Sequence, residues 1–213
     1  MILKENFWVF PNAIPPKTCN EIIRFGNNAK QQIGITGKYG SNRNIERDPL
    51  TDDEIEDLKK TNRDSNISWL NARWLYKWIN PLVERANRNA GWNFQWDFSE
   101  DIQFTRYGLN QYYKWHMDSW DEPYNNPNDK KHGKIRKLSM TCALNDGSEY
   151  EGGDLEFFIN NVEVNKGFIQ KSDLLKKQGS LIVFPSHLFH RVTPVTKGTR
   201  YSMVAWQVGE PWR

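Results

Sequence analysis

Gly179-Ser180-Leu181-Ile182-Val183-Phe184-Pro185-Ser186-His187-Leu188-Phe189-His190-Arg191-Val192-Thr193-Pro194-Val195 reads as two extended runs joined by a proline turn. Leu181-Ile182-Val183-Phe184 is a short unbroken apolar run, as expected of a strand covered on both faces. Pro185 ends it because it has no N–H for a ladder. A second run over 189–195 brings in His190. Outward from this stretch the same pattern recurs through the second half of the chain. Strand-like runs fall near 92–98, 101–107, 112–118, 135–144, 154–159, 162–164, 180–184, 189–195 and 200–208. Turn residues separate them: Tyr107-Gly108, Pro123 to Asn128, Asn145-Asp146-Gly147, Gly152-Gly153, Gly179, Pro185 and Lys197-Gly198. Many short strands so spaced predict a sandwich, barrel or jelly roll.

The first half reads differently. Asn6 to Phe10 is a short strand, stopped by Pro11. Pro15 and Pro16 suit a helix entrance, and Cys19, Ile22, Ile23 and Gly26 follow at helical spacing, so a helix is predicted over about 17–31. Residues 34–66 are polar, with Thr51-Asp52-Asp53-Glu54 at capping-box spacing before Ile55 and Leu58, which predicts a short helix or turn. The clearest helix covers about 70–90. Trp74, Leu75, Trp78, Ile79, Leu82, Val83 and Ala86 form one apolar stripe, and the tryptophans on it are read as core. Pro81 implies a kink, or a restart capped by Asn80, and Gly91 ends the helix. Residues 1–91 are therefore read as a support region of helices and strand, and 92–213 as the β core of one folded domain.

The chain has 213 residues, enough for one domain with a sizeable core. Lys and Arg total 29 against 26 Asp and Glu. That near balance disfavours a nucleic-acid partner, whose phosphates call for a clustered basic excess. No apolar run approaches a membrane span, and the N-terminus turns polar at Lys4, unlike a signal peptide. Two distant cysteines, Cys19 and Cys142, make neither a disulfide framework nor a zinc motif. A cytoplasmic protein is expected. Nothing in the sequence sets an oligomeric state.

There are 4 histidines, His116, His132, His187 and His190. In Tyr112-Tyr113-Lys114-Trp115-His116-Met117-Asp118, strand alternation turns His116 and Asp118 to one face. An imidazole and a carboxylate side by side are two parts of a facial triad for iron(II). The tripeptide alone is weak, since composition produces one in roughly every four such chains. What strengthens it is Arg200, ten residues after His190. An inward-facing Arg on a strand is costly unless an anion meets it, and its planar fork grips a carboxylate. A metal beside such an Arg implies a small dicarboxylate held by both.

On these residues the chain resembles the iron(II)- and 2-oxoglutarate-dependent dioxygenases, in the prolyl 4-hydroxylase-like branch of bacterial and phage type, from about Ile102 to Trp206. The resemblance assigns His116, Asp118 and His190 as metal ligands and Arg200 as the residue that binds 2-oxoglutarate. It also picks out Gly152-Gly153 before a strand and Phe184-Pro185-Ser186 before the distal ligand. His190 is chosen over His187 because Arg191-Val192-Thr193-Pro194-Val195 follows it directly; His187 and His132 are read as loop histidines. A tyrosine contact to 2-oxoglutarate is assigned to Tyr107, since parity turns Tyr113 away from His116. Ser139, Thr141 and Cys142 are further candidates for that contact, and Trp206 for walling the pocket. Trp115 and Trp120 flank the metal motif as candidates for stacking on a substrate. The basic stretch Lys130 to Lys137 is either a solvated loop or a substrate-binding one.

The resemblance implies a double-stranded β-helix (jelly roll), mainly β, with N-terminal helices packed outside the major sheet. It implies Fe(II), with 2-oxoglutarate and O2 as co-substrates, and L-ascorbic acid binding. The implied reaction is hydroxylation of a C–H bond, foremost of a prolyl residue in a peptide or protein. An oxygenase acting on nucleic acid or a free metabolite, and an inactive jelly-roll binding module, are the alternatives.

Overall fold

A computed structural model of the protein describes residues 5–34, 49–120, 122–161, 166–171 and 173–212. In chain order the strands are β1 (Trp8–Phe10), β2 (Gln32–Ile33), β3 (Arg63–Asp64), β4 (Asn66–Leu70), β5 (Phe98–Ser99), β6 (Ile102–Tyr107), β7 (Tyr112–His116) and β8 (Ile135–Ala143). They continue as β9 (Tyr150–Gly152), β10 (Leu155–Asn161), β11 (Lys166–Lys171), β12 (Leu181–Pro185), β13 (His190–Val192), β14 (Val195–Gly198) and β15 (Arg200–Gly209). The helices are α1 (Pro16–Asn28), α2 (Asp52–Thr61) and α3 (Arg73–Asn89).

Among the described residues a major sheet runs in the order β1-β12-β8-β15-β6-β4-β2, with β5 also on β15, and a minor sheet runs β11-β10-β13-β7-β3. Every pairing in both is antiparallel. This is the expected jelly roll. Alternation splits the core into two layers. One face of the major sheet carries Phe104, Met140, Cys142, Met203 and Ala205 and packs under α1 and α3. The opposite face carries Tyr107, Ile182 and Phe184 and meets Leu155, Phe157 and Val192 of the minor sheet. The second layer is the barrel interior.

The helices follow their local signals. Pro16 starts α1, where a missing N–H costs nothing. Thr51 and Glu54 close a reciprocal capping box on α2. Pro81 sits inside α3, which runs through it unbroken, so neither restart nor cap occurs; Asn80 instead accepts a hydrogen bond from Ser99 Oγ at 2.9 Å. Gly91 adopts φ 72° one residue past the cap. The buried line of α3 is Leu75, Ile79, Val83 and Ala86. Trp74 lies beside it, partly buried, and Trp78 is exposed, so the tryptophans border the stripe instead of filling it.

Four strand expectations need correction. Residues 92–97 are irregular, because Asn93 takes φ 52° and the Asn87 side chain bonds both the N–H and the carbonyl of Phe94 at 2.9 Å, replacing a ladder. The single run over 189–195 is two strands, broken at Thr193-Pro194, after which the chain leaves β10 and pairs with β9. Strands β2, β3 and β4 lie within or beside the polar stretch read as strandless, and β11 was not anticipated. The run at 162–164 lies outside the described residues. No helix among the described residues is long and apolar enough to cross a membrane.

The seam between helix and sheet rests on Gly26. A Cβ there would lie 2.3 Å from the Phe104 ring, which is fully buried. Gly26→Ala gains up to about 1 kcal/mol of helix propensity, but overpacking a rigid core ring costs about 1–3 kcal/mol. A net loss of stability is expected, read as a lower urea midpoint at unchanged slope.

Candidate metal centre

His116 ends β7 and His190 begins β13, and the two are direct partners across the antiparallel pair. Their ring centroids are 4.1 Å apart. Asp118 lies just past β7, where both its N–H and that of Ser119 donate to the Ser186 carbonyl, at 2.8 and 2.9 Å. The strand therefore stops before Asp118, and a hook onto the β12–β13 turn, not alternation, aims the carboxylate. The three side chains each offer a ligand atom, all within 4.8 Å of one another. His116 Nε2 is 3.7 Å from Asp118 Oδ1, and His190 Nε2 is 3.6 Å from Oδ2.

Both imidazoles are set by the backbone. His116 Nδ1 lies 2.8 Å from the Lys114 carbonyl, and His190 Nδ1 lies 2.8 Å from the Leu188 carbonyl. A carbonyl only accepts, so each Nδ1 carries a proton and each Nε2 is the ring atom turned toward Asp118. Burial, reinforced by the neighbouring His190, lowers the His116 pKa to about 3. Burial would raise Asp118, but the charges of His190, His116 and Arg136 and the Ser139 hydrogen bond outweigh it and hold the carboxyl at about 2. Two imidazoles and one carboxylate, converging from two paired strands, make a donor set that fits iron(II).

Arg200 opens β15 opposite Tyr107, and its guanidinium lies 5.4 Å from the Tyr107 ring centroid. Both are buried. Alternation from Arg200 through Ser202 and Val204 reaches Trp206, the partner of Ser139, and Ser139 touches Asp118. Arg200 thus shares the interior face with the candidate ligand set. It donates to the Ser202 hydroxyl at 3.2 Å, and among the described residues no carboxylate pairs with it. A buried guanidinium with donors to spare fits the far carboxylate of a dicarboxylate. Gly153 makes room for it: φ is 60°, and a Cβ would stand 2.9 Å from Arg200 Cδ.

The remaining candidates divide. Tyr113 stacks on His116 with centroids 3.5 Å apart, contrary to parity. The cause is a register shift: His190 pairs with His116 but Val192 with Tyr113, so β7 spends an extra residue and its alternation resets. Burial raises the Tyr113 pKa, and the phenol stays protonated. Trp115 points to the outer face of the minor sheet, stacked parallel on Phe189 with Arg191 over its ring. Trp120 is exposed, 5.1 Å from Arg136, which also lies 3.8 Å over Trp206. Arg136 forms a two-pronged pair with Glu100 at 2.6 and 3.0 Å. The basic stretch is largely partnered internally, since Lys131 meets Glu100 and Lys134 meets Asp97 and Glu210. Cys142 faces the helices beside Cys19 and cannot reach the interior. His187 neighbours Trp212 and is outside the cluster; His132 is exposed.

The fold and site together define a jelly-roll protein with a His-Asp-His centre beside a buried arginine. Residues 102–208 match the family described as the 2OG-Fe(II) oxygenase superfamily, and the chain belongs to it. A PKHD-type hydroxylase of Idiomarina loihiensis is 36% identical over 105 residues, 49% of this chain and 40% of the relative. One from Synechococcus sp. is 32% identical over 48% of this chain and 39% of the relative. The matched stretch thus spans about 40% of the length of these curated relatives. Among solved structures, the viral collagen prolyl hydroxylase of Paramecium Bursaria Chlorella virus-1, described as a 2OG complex, shares the fold at TM-score 0.61 and 16% identity, covering 96% of this chain and 97% of that one. A Trichoplax adhaerens prolyl hydroxylase in complex with a hypoxia inducible factor peptide fragment does so at TM-score 0.62 and 18% identity, covering 95% and 83%.

The pKa shifts carry a pH dependence for metal-free protein. An imidazole with a lowered folded pKa favours the folded state fully above its unfolded value, near 6.5, and this is lost as pH falls toward about 3. Asp118 adds a loss between 3.8 and about 2. With metal removed by a chelator, urea midpoints should fall as pH drops below about 6.5, and His116→Asn should flatten that slope. An equal slope in the variant would remove His116 as its source.

Proposed function

We propose that the protein is an iron(II)- and 2-oxoglutarate-dependent oxygenase that hydroxylates a C–H bond of a prolyl residue in a peptide or protein. The observation that carries this reading is the convergence of His116, Asp118 and His190, with both Nε2 atoms facing one carboxylate. These three residues would hold iron(II), and Arg200 would grip the far carboxylate of 2-oxoglutarate with Tyr107 as its wall. Iron(II) with 2-oxoglutarate and O2 supplies the oxidising power for C–H hydroxylation, coupled to loss of CO2 and formation of succinate.

The protein's own part is positioning and exclusion of water. Burial holds His116 neutral, so no proton has to leave its ring before a metal enters. Burial of Arg200 strengthens its attraction for a bound diacid, and burial of Asp118 its attraction for a bound cation. Trp120, exposed and set against Arg136, is an aromatic side chain on which a substrate could stack. The prolyl substrate is supported by the relatives named PKHD-type hydroxylases and by the prolyl hydroxylase folds. The near balance of charge, 29 basic against 26 acidic residues, speaks against nucleic acid.

The deciding experiment is iron-dependent turnover of 2-oxoglutarate against a panel of proline-containing peptides, scored by succinate release and a mass gain of one oxygen on proline. Methyl loss from methylated DNA, or succinate without peptide modification, would redirect the substrate assignment. Asp118→Ala should abolish metal binding and turnover, and full activity in it would sink the ligand set. Arg200→Ala should raise the 2-oxoglutarate requirement on the order of 30-fold or more, the loss of one partner of a buried charge pair. His187→Ala should leave metal affinity within a few-fold; a collapse would exchange it with His190.

A further inference from the structure

Asp118 is held by more than its backbone hook. Ser139 Oγ donates to Asp118 Oδ2 at 2.7 Å, and Ser186 Oγ lies 2.9 Å from Ser139 Oγ. Both hydroxyls are fully buried. Hydrogen counting fixes the direction of this chain. An ionised carboxylate only accepts, so the single Ser139 proton goes to Asp118, and Ser186 must supply the proton between the two hydroxyls. Ser186 is therefore joined to Asp118 twice, through its carbonyl to the Asp118 and Ser119 N–H groups and through its hydroxyl by way of Ser139. The two serines come from adjacent strands. Ser139 lies on β8, paired with Phe184 of β12, and Ser186 follows the end of β12. Hydroxyls polarised in series bind the carboxylate more firmly than either would alone.

We propose that Ser139, oriented by Ser186, is a positioning residue that fixes the rotation of the Asp118 carboxylate, so that Oδ1 faces His116 Nε2 and Oδ2 faces His190 Nε2. A carboxylate free to rotate can chelate through both oxygens and take a further coordination position. Tying one oxygen to a buried hydroxyl fixes the rotation of the carboxylate before a metal arrives, so less ordering is left to do on binding. The inference rests on Asp118 being a metal ligand. It assigns Ser139 to the carboxylate and not to 2-oxoglutarate.

The test uses the full chain and cobalt(II) alone, with affinity from titration and ligand geometry from the visible d–d spectrum. Ser139→Ala should weaken cobalt binding roughly 10- to 100-fold, as loss of an outer-sphere partner does, and change the spectrum. Ser139→Thr keeps the hydroxyl and should restore both. Ser186→Ala removes only the donor behind Ser139 and should weaken binding by less than Ser139→Ala, while its urea midpoint reports on folding. Wild-type affinity and spectrum in Ser139→Ala would overturn the proposal, as would a Thr variant as impaired as the Ala variant. Cobalt binding that survives Asp118→Ala would overturn the metal-ligand reading beneath it, which separates the two failures.

Discussion

The antiparallel pairing of β13 on β7 is the constraint on which the site depends. It sets His190 directly opposite His116, and the Ser186 hook brings Asp118 beneath both. Three ligands from two distant parts of the chain are thus aligned by backbone hydrogen bonds, which are costly to distort inside a core. The carbonyls two residues before each histidine complete the arrangement by choosing the tautomer. A metal entering such a site meets ligand atoms already aimed, so little ordering is left to do on binding.

The interior of the barrel is polar along one line and apolar around it. Arg200, Ser202, Trp206, Ser139 and Phe184 share a face of the major sheet, while Leu155, Phe157 and Val192 of the minor sheet close the space from the other side. This apolar wall excludes water from the charges and makes each of them count for more. The same wall depresses the His116 pKa through desolvation, although Asp118 is near. Burial without protonation is what a ligand histidine needs, and it makes the metal-free protein sensitive to acid.

Glycine at two places permits this packing. Gly26 lets α1 lie on Phe104, and Gly153 leaves space for the Arg200 side chain. The first binds the helical layer to the outside of the major sheet. The second lets a long charged side chain lie inside the barrel without displacing the β9–β14 corner.

The strand-rich second half and the capped α2 were legible from local rules, alternation, proline turns and a capping box, while the candidate His-Asp-His set and Arg200 came with the family resemblance. The sequence by itself misread what depends on partners. Tyr113 was turned away by parity, but a bulge visible only in the pairing with β13 resets the alternation of β7. Trp115, one residue from a ligand, faces outward, and Trp78 escapes the core its helical spacing promised. Arg136 was one charge in a basic stretch until Glu100, 36 residues earlier, came to face it. Ser139 was one of three candidates on a strand until Asp118 and Ser186 met it. Only the tertiary structure decided these, since the groups that fix each side chain lie tens of residues away and register, not composition, brings them within hydrogen-bonding distance.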